Sequence, residues 1–168
     1  MYTVIETPRL FIREFAPDEE HLLIAMGRDE RITRYTTPRT EEETKMLFQQ
    51  ILAGYGTLSR FGRWAIIDKA SGVFLGTCML MAAREGLTGT ELGYSFHYDY
   101  WGQGIATETV NALVAYGFET GLTEICAITD LENKASQRVL QKAGFTANEA
   151  VLMFGKDIPL YIIKKGDQ

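Results

Sequence analysis

The chain is 168 residues long, an ordinary size for one domain with a core of its own. Its 22 acidic residues outnumber 17 basic ones, giving a formal charge of -5; this argues against a nucleic-acid-binding face, which needs clustered cations to neutralise phosphates. No stretch approaches the roughly 20 apolar residues that span a bilayer, and the opening residues lack the basic-then-apolar order of a secretion signal.

Residues 9–15 are apolar and β-rich between Pro8 and Pro17, which predicts a strand. Asp18 is placed to cap a short helix carrying Leu22, Leu23 and Met26. Thr40 followed by Glu41, Glu42 and Glu43 reads as a capping box. The three carboxylates suit the positive end of a helix dipole, so they need no functional explanation. Leu47, Phe48, Ile51, Leu52 and Tyr55 then share one helical face. Strand-like runs at 63–68 and 73–81 flank Lys69-Ala70-Ser71-Gly72, a hairpin turn in composition. Gly86 and Gly89 bracket the next turn, before a strand at 91–98. After a glycine loop, Ala106, Val110, Leu113, Val114 and Gly117 recur at helical spacing. A strand at 124–129 and a helix at 134–143, stopped by Gly144, follow. The runs 145–154 and 160–163 read as a closing hairpin.

No linker or repeat divides the chain, so residues 1–168 are expected to form a single domain. Its class is α/β (α+β): a meander of strands, then one β-loop-α-β unit at 91–130, in a mixed sheet. Cys78 and Cys126 sit inside apolar runs and read as buried thiols of a reduced, cytoplasmic protein. His21 and His97 are far apart, so no metal site of standard spacing is expected.

Gly102 and Gly104 stand directly between a strand and a helix. The first turn of a helix carries N–H groups without partners, and the dipole adds partial positive charge. Glycine lets backbone approach a phosphate closely, and Thr107 offers a hydroxyl. The loop therefore reads as a diphosphate site made of main chain. The Walker lysine pattern is absent. A nicotinamide-dinucleotide fold is the alternative, with Asp130 as its ribose acid, but the third glycine is missing and little chain follows for further parallel strands.

Across nearly its whole length the chain resembles the GNAT superfamily of N-acetyltransferases, in particular the branch of bacterial enzymes that acetylate ribosomal-protein N-termini. The resemblance rests on Thr7-Pro8-Arg9-Leu10, Leu75-Gly76-Thr77, Glu91-Leu92-Gly93-Tyr94, Tyr100-Trp101-Gly102-Gln103-Gly104-Ile105-Ala106-Thr107-Glu108, Asn133-Lys134-Ala135-Ser136 and Lys142-Ala143-Gly144-Phe145, in that order. It implies a mostly antiparallel sheet with central diverging strands flanked by helices, and acetyl-CoA as acetyl donor. It implies that the backbone of Trp101, Gly102, Gln103, Gly104, Ile105, Ala106 and Thr107 wraps the pyrophosphate, and that the strand ending at Phe96 lies beside the pantetheine. Trp101 reads equally as a packing residue, and Asn133 either caps a helix or donates to the pantetheine.

Transfer needs a neutral amine, an oxyanion donor and a place for the thiolate's proton. The resemblance places Glu91 at a general-base position, with a fixed structural carboxylate as the other reading. A backbone N–H near Phe96 or His97 would serve the oxyanion; the His97 ring itself reads as a loop side chain. Many relatives carry a tyrosine where this chain has Leu140, and Ser136 is the nearest substitute by motif position. Ser136 reads otherwise as a small polar helix residue. The acceptor is an amine, a peptide N-terminus or a small molecule, in a pocket expected from residues 20–60 and the final hairpin. A homodimer through the C-terminal strands is compatible with the sequence. A non-catalytic CoA-binding sensor is the competing function, kept open by Leu140.

Overall fold

The computed structural model describes residues 2–57, 60–153 and 155–166. Strands β1 (Thr3–Glu6), β2 (Leu10–Arg13), β3 (Gly62–Asp68), β4 (Phe74–Ala82), β5 (Thr90–Phe96), β6 (Glu124–Ile128), β7 (Thr146–Met153) and β8 (Lys156–Lys164) form one sheet in the order β1-β2-β3-β4-β5-β6-β8-β7. Helices α1 (Glu20–Arg28), α2 (Glu30–Thr33) and α3 (Glu41–Gly54) connect β2 to β3, and α4 (Ile105–Glu119) and α5 (Lys134–Lys142) lie on either side of β6 in the chain. The β5–β6 pair is parallel and the other neighbours are antiparallel. The sheet is mixed and mostly antiparallel, as expected.

Local chemistry accounts for most element ends. Thr40 Oγ1 accepts the Glu43 N–H at 3.1 Å while Glu43 returns the bond to the Thr40 N–H at 2.7 Å, closing the capping box of α3. At α5, Gly144 (φ 93°) ends the helix: Phe145 N–H donates to Leu140 O and Gly144 N–H to Gln141 O, each at 3.0 Å. The cap expected of Asp18 is not made. The N-cap of α1 is Glu19, without a side-chain cap bond. Its carboxylate turns back to Arg13 at 2.7 and 2.8 Å and to the Ala16 N–H at 2.8 Å, and a bidentate ion pair outcompetes a cap.

Two short elements, β1 and α2, were not foreseen; each is four residues long, below what periodicity resolves. The closing hairpin is present, but β8 begins at Lys156 rather than at 160 because the strand runs through Pro159. Proline has no N–H to offer its neighbour, and β7 shifts register between Asn148 and Val151 opposite it. Phe154, within the expected run, lies outside the described residues.

Alternation along the strands assigns two faces. Trp64 and Ile66 of β3, with Leu80 and Leu92, pack on Val110, Leu113 and Val114 of α4 and Leu140 of α5. Ala65 and Ile67 point the other way, onto Phe48 and Ile51 of α3 and Leu23 of α1. Helices α1 and α3 leave part of that second face bare along β4 and β5. The sheet also splits: β4 and β5 pair from Gly76↔Phe96 to Ala82↔Thr90, whereas β5 meets β6 only at Glu91↔Cys126. From Gly93 onward β5 and β6 diverge.

Candidate active site

Strand β5 presents an edge and a face to the site. His97 N–H donates to Leu75 O at 2.8 Å, so odd-numbered residues of β5 exchange bonds with β4. By the alternation of an antiparallel ladder, the N–H groups of Tyr94 and Phe96 point toward β6, into the split. The amide of His97 is therefore engaged, and that of Phe96 is the one aimed at the opening. The Phe96 ring lies in the α4-side core at 6% exposure. Glycine at 76 allows the close approach: a Cβ there would strike the Ser95 carbonyl oxygen and the Phe96 Cα.

Where β5 ends, the chain makes a short 3-10 turn and enters the glycine loop. Gly102 and Gly104 both adopt φ 74°, a left-handed conformation costly for other residues. Gly104 is the N-cap of α4 and offers no side-chain cap. The first helical bond is donated by Glu108 to Gly104 O at 3.1 Å, and no N–H from Gly102 to Thr107 has an acceptor among the described residues. These are consecutive unpartnered amides at the positive end of a 15-residue helix. Ile105 anchors the turn in the core at 7% exposure. From beneath, Arg9 donates to Gln103 O at 3.0 Å and pairs with Glu108 at 2.6 Å, and the Thr7 hydroxyl donates to the same carboxylate at 2.6 Å. The Gln103 side chain folds back on Asp99 O at 2.9 Å. The Trp101 indole donates to Phe96 O at 3.0 Å and its ring rests on Tyr98, with Tyr35 beyond, so its side chain is a packing element of the loop.

On the bare face lies a cleft of about 650 Å³. Its floor is Thr77 and Met79 of β4 with Glu91, Gly93 and Ser95 of β5; its walls come from residues 23–47 and from Lys156 and Ile158. It continues through the split to Ser136 and Leu140 of α5. The glycine loop does not line this cleft; it stands at the open end of β5, beyond Ser95. The cleft and the glycine loop are thus separate compartments joined along one strand.

Glu91 is 3% exposed in the cleft. Arg84 holds both its oxygens, through Nε at 2.9 Å and Nη2 at 2.5 Å. Asn133 Oδ1 accepts the Ser136 N–H at 3.1 Å, capping α5, and its Nδ2 donates to nothing among the described residues. The Ser136 hydroxyl shares a 2.8 Å hydrogen bond with the Tyr94 hydroxyl across the split. Burial pushes the Tyr94 phenol up to about 12, so it keeps its proton at neutral pH. Leu140, 1% exposed, is core and donates nothing. The His97 ring is 3.4 Å from Asp99 at Nδ1 without an aligned hydrogen bond. Both cysteines are buried free thiols; burial raises Cys78 strongly and Cys126 to about 11.

Sequence reasoning passed over Tyr94, Arg84 and Arg63. Arg63 was detectable: period-2 alternation from Ala65 and Ile67 puts it on an inward face, where a cation is unusual. The Tyr94–Ser136 contact joins residues 42 apart, and no local pattern announces it.

The comparisons with known proteins agree with this arrangement. The family model described as "Acetyltransferase (GNAT) domain" matches residues 9–146. The uncharacterized N-acetyltransferase YoaA of Bacillus subtilis (strain 168) is 29% identical over 148 residues, 86% of this chain and 84% of that protein. The crystal structure of the acetyltransferase from Agrobacterium tumefaciens str. C58 superposes with a TM-score of 0.84 at 21% identity, covering 98% of this chain and 95% of that one. RimL, the ribosomal L7/L12 alpha-N-protein acetyltransferase, solved in complex with coenzyme A, gives 0.75 at 16% identity, covering 99% and 100%. A split mixed sheet, a glycine turn of unpartnered amides and a model spanning most of the sequence lead to one assignment: the chain belongs to the GNAT acetyltransferase family.

Proposed function

We propose that this protein binds acetyl-CoA with its pyrophosphate on the amides of Gly102 to Thr107 and its pantetheine along the freed edge of β5, and passes the acetyl group to an amine lying in the cleft. The observation that carries the reading is that unbroken run of N–H groups without acceptors, set where β5 leaves β6. A main-chain anion site needs no basic side chains, which fits a polyanionic substrate to a chain of net charge -5. Asn133 Nδ2 supplies a further donor to the pantetheine amides. RimL, which shares the fold, was solved with coenzyme A bound.

The residues divide the work as follows. The amine must lose a proton as it attacks the thioester carbonyl; Glu91 receives it through a chain of waters along the cleft floor. Arg84 donates twice to Oε2, through Nε and its backbone N–H, and once to Oε1; a carboxylate has about four acceptor sites, so one on Oε1 remains for water. The Phe96 N–H faces the carbonyl oxygen as it gains charge. The sulfur leaves hydrogen-bonded to the Ser136 hydroxyl, which relays a proton to it from Tyr94 in one concerted step; Tyr94 then regains a proton from solvent, and Glu91 releases its own there. The products are an N-acetyl amine and coenzyme A with a free thiol. The acceptor is a peptide N-terminus or a small amine, met in the cytoplasm, where the two buried thiols stay reduced.

Amine-dependent release of free thiol from acetyl-CoA tests this reading. Release that tracks the amine supports it. Coenzyme A bound without turnover for any amine would instead identify a binding module, and no coenzyme A binding at all would remove the assigned site.

A further inference from the structure

The cleft contains a cation without a counter-ion. Arg63 stands on β3 opposite Met79, which stands opposite Gly93 of β5, so the three form one cross-strand row on the cleft floor. Its guanidinium donates to Met79 Sδ at 3.0 Å, a weak acceptor, and no carboxylate lies within ion-pair distance among the described residues. Burial, then the neighbouring Arg39 and Arg84, disfavours its charge, with Glu91 opposing them more weakly. Arg34 and Arg39 also line the cleft without acidic partners, Arg34 lying over the Tyr35 ring. Neither carboxylate lining it pairs with Arg63: Glu91 is held by Arg84, and Asp130, past the end of β6, makes no ion pair among the described residues. An acidic protein thus lines its substrate cleft with more cations than anions, Arg63 on the floor and the exposed Arg34 and Arg39 on the wall. A partly buried, unpaired guanidinium is costly unless something supplies the missing anion.

From this we infer that the acceptor amine carries a carboxylate, which Arg63 receives with Arg39 at its flank. The inference rests on the acetyltransferase reading and specifies the substrate class for it. Neighbouring strands lie about 4.8 Å apart, so Arg63 sits two strands from the thioester edge and its long side chain reaches back over Met79. The carboxylate therefore belongs within a few bonds of the reacting nitrogen. An α-amino acid satisfies this, as does a short peptide whose first residues are acidic. Polyamines and aminoglycoside-like amines, which bring further positive charge, are disfavoured by the same arginines.

The test compares matched acceptors with the full-length protein and acetyl-CoA: free α-amino acids, the same amino acids as carboxamides, Asp- or Glu-initiated and neutral peptide amides, and spermidine. Carboxylate-bearing amines should exceed their neutral counterparts by roughly 30-fold in kcat/KM, the scale of a charge-assisted hydrogen-bonded pair. Activity on free amino acids alone, or on acidic peptides alone, identifies the source of the carboxylate. Arg63→Met should erase that preference through the acceptor KM while leaving acetyl-CoA binding intact and the melting temperature unchanged or raised, because it removes an unpaired partly buried charge. Arg63→Lys should restore part of it. Equal turnover of carboxamides and carboxylates, or an unchanged preference in Arg63→Met, overturns the inference and leaves the acetyltransferase standing. Turnover of spermidine or neutral peptides alone overturns it as well. Failure of every amine to release thiol overturns both, and acetyl-CoA binding measured by calorimetry then shows whether the cofactor site survives.

Discussion

The edge and the face of β5 bring different materials to the proposed reaction. On the edge, and in the loop that follows it, the donors are main-chain N–H groups from Phe96 and from Gly102 to Thr107. On the face, the chemistry belongs to side chains brought together from β3, β4, β5 and the 84 position beyond β4: Arg63, Met79, Glu91 and Arg84. A main-chain site demands little of the sequence beyond permission for two left-handed turns, and it is indifferent to the protein's net charge. A side-chain site demands specific residues at positions distant in the chain, and one substitution can redirect it. The donor half of such a molecule is set by conformation, the acceptor half by composition.

Two substitutions would break this contrast most sharply. Glu91→Gln keeps the side chain's size but removes the proton acceptor, and with it one of the two guanidinium bonds from Arg84, because the amide NH2 cannot accept. Stopped-time thiol assays should show kcat lowered by about 10²–10⁴-fold, the usual range for lost general-base catalysis, with KM for acetyl-CoA little changed. A loss under tenfold would make Glu91 the fixed structural carboxylate instead. Gly104→Val attacks the other half. A β-branched residue at φ 74° costs about 1–2 kcal/mol or forces the turn to move. The predicted result is a rise in KM for acetyl-CoA of roughly 10- to 30-fold, with acceptor KM preserved. If the acceptor KM moves equally, the two halves are not separable.

The same contrast explains how much was legible beforehand. The glycine loop could be read because its requirement is local: glycines at 102 and 104 between a strand and a helix. The capping box at Thr40 and the stop at Gly144 were readable for the same reason, since each is closed within a few residues. Asp18 was misassigned because the competing partner of its neighbour Glu19, Arg13, lies on the preceding strand. Arg9 and Glu108 brace the loop from 99 residues apart, and Tyr94 meets Ser136 across a split that only tertiary structure creates. The cleft's arginines were hidden in a net acidic total, because composition sums over a surface that the site does not use.

Tyr94→Phe tests the junction between the halves. It leaves the ring in place and removes the partner of the Ser136 hydroxyl, a bond worth about 1 kcal/mol, so kcat should fall on the order of fivefold to tenfold and Ser136→Ala should add little further. A pH experiment gives an independent reading. Burial pushes the folded Tyr94 phenol up to about 12 from an ordinary 10.0. Its neutral form therefore contributes stability that is complete below pH 10 and disappears as pH rises toward 12. The phenylalanine variant should lose less stability across that interval in urea melts. Tyr55, also raised to about 12, retains part of the slope.

The smallest effect is expected within the loop itself. Thr107 contributes its N–H to the unpartnered run whatever its side chain, and its hydroxyl has no partner among the described residues. If main chain holds the pyrophosphate, Thr107→Val removes at most one neutral hydroxyl donor, about 0.5–1 kcal/mol, and raises KM for acetyl-CoA by roughly twofold to fivefold. Valine is nearly isosteric and sits in the first helical turn, so the backbone should not move. A rise as large as that of Gly104→Val would mean that side-chain hydroxyls grip the diphosphate, and that the donor half is built like the acceptor half after all.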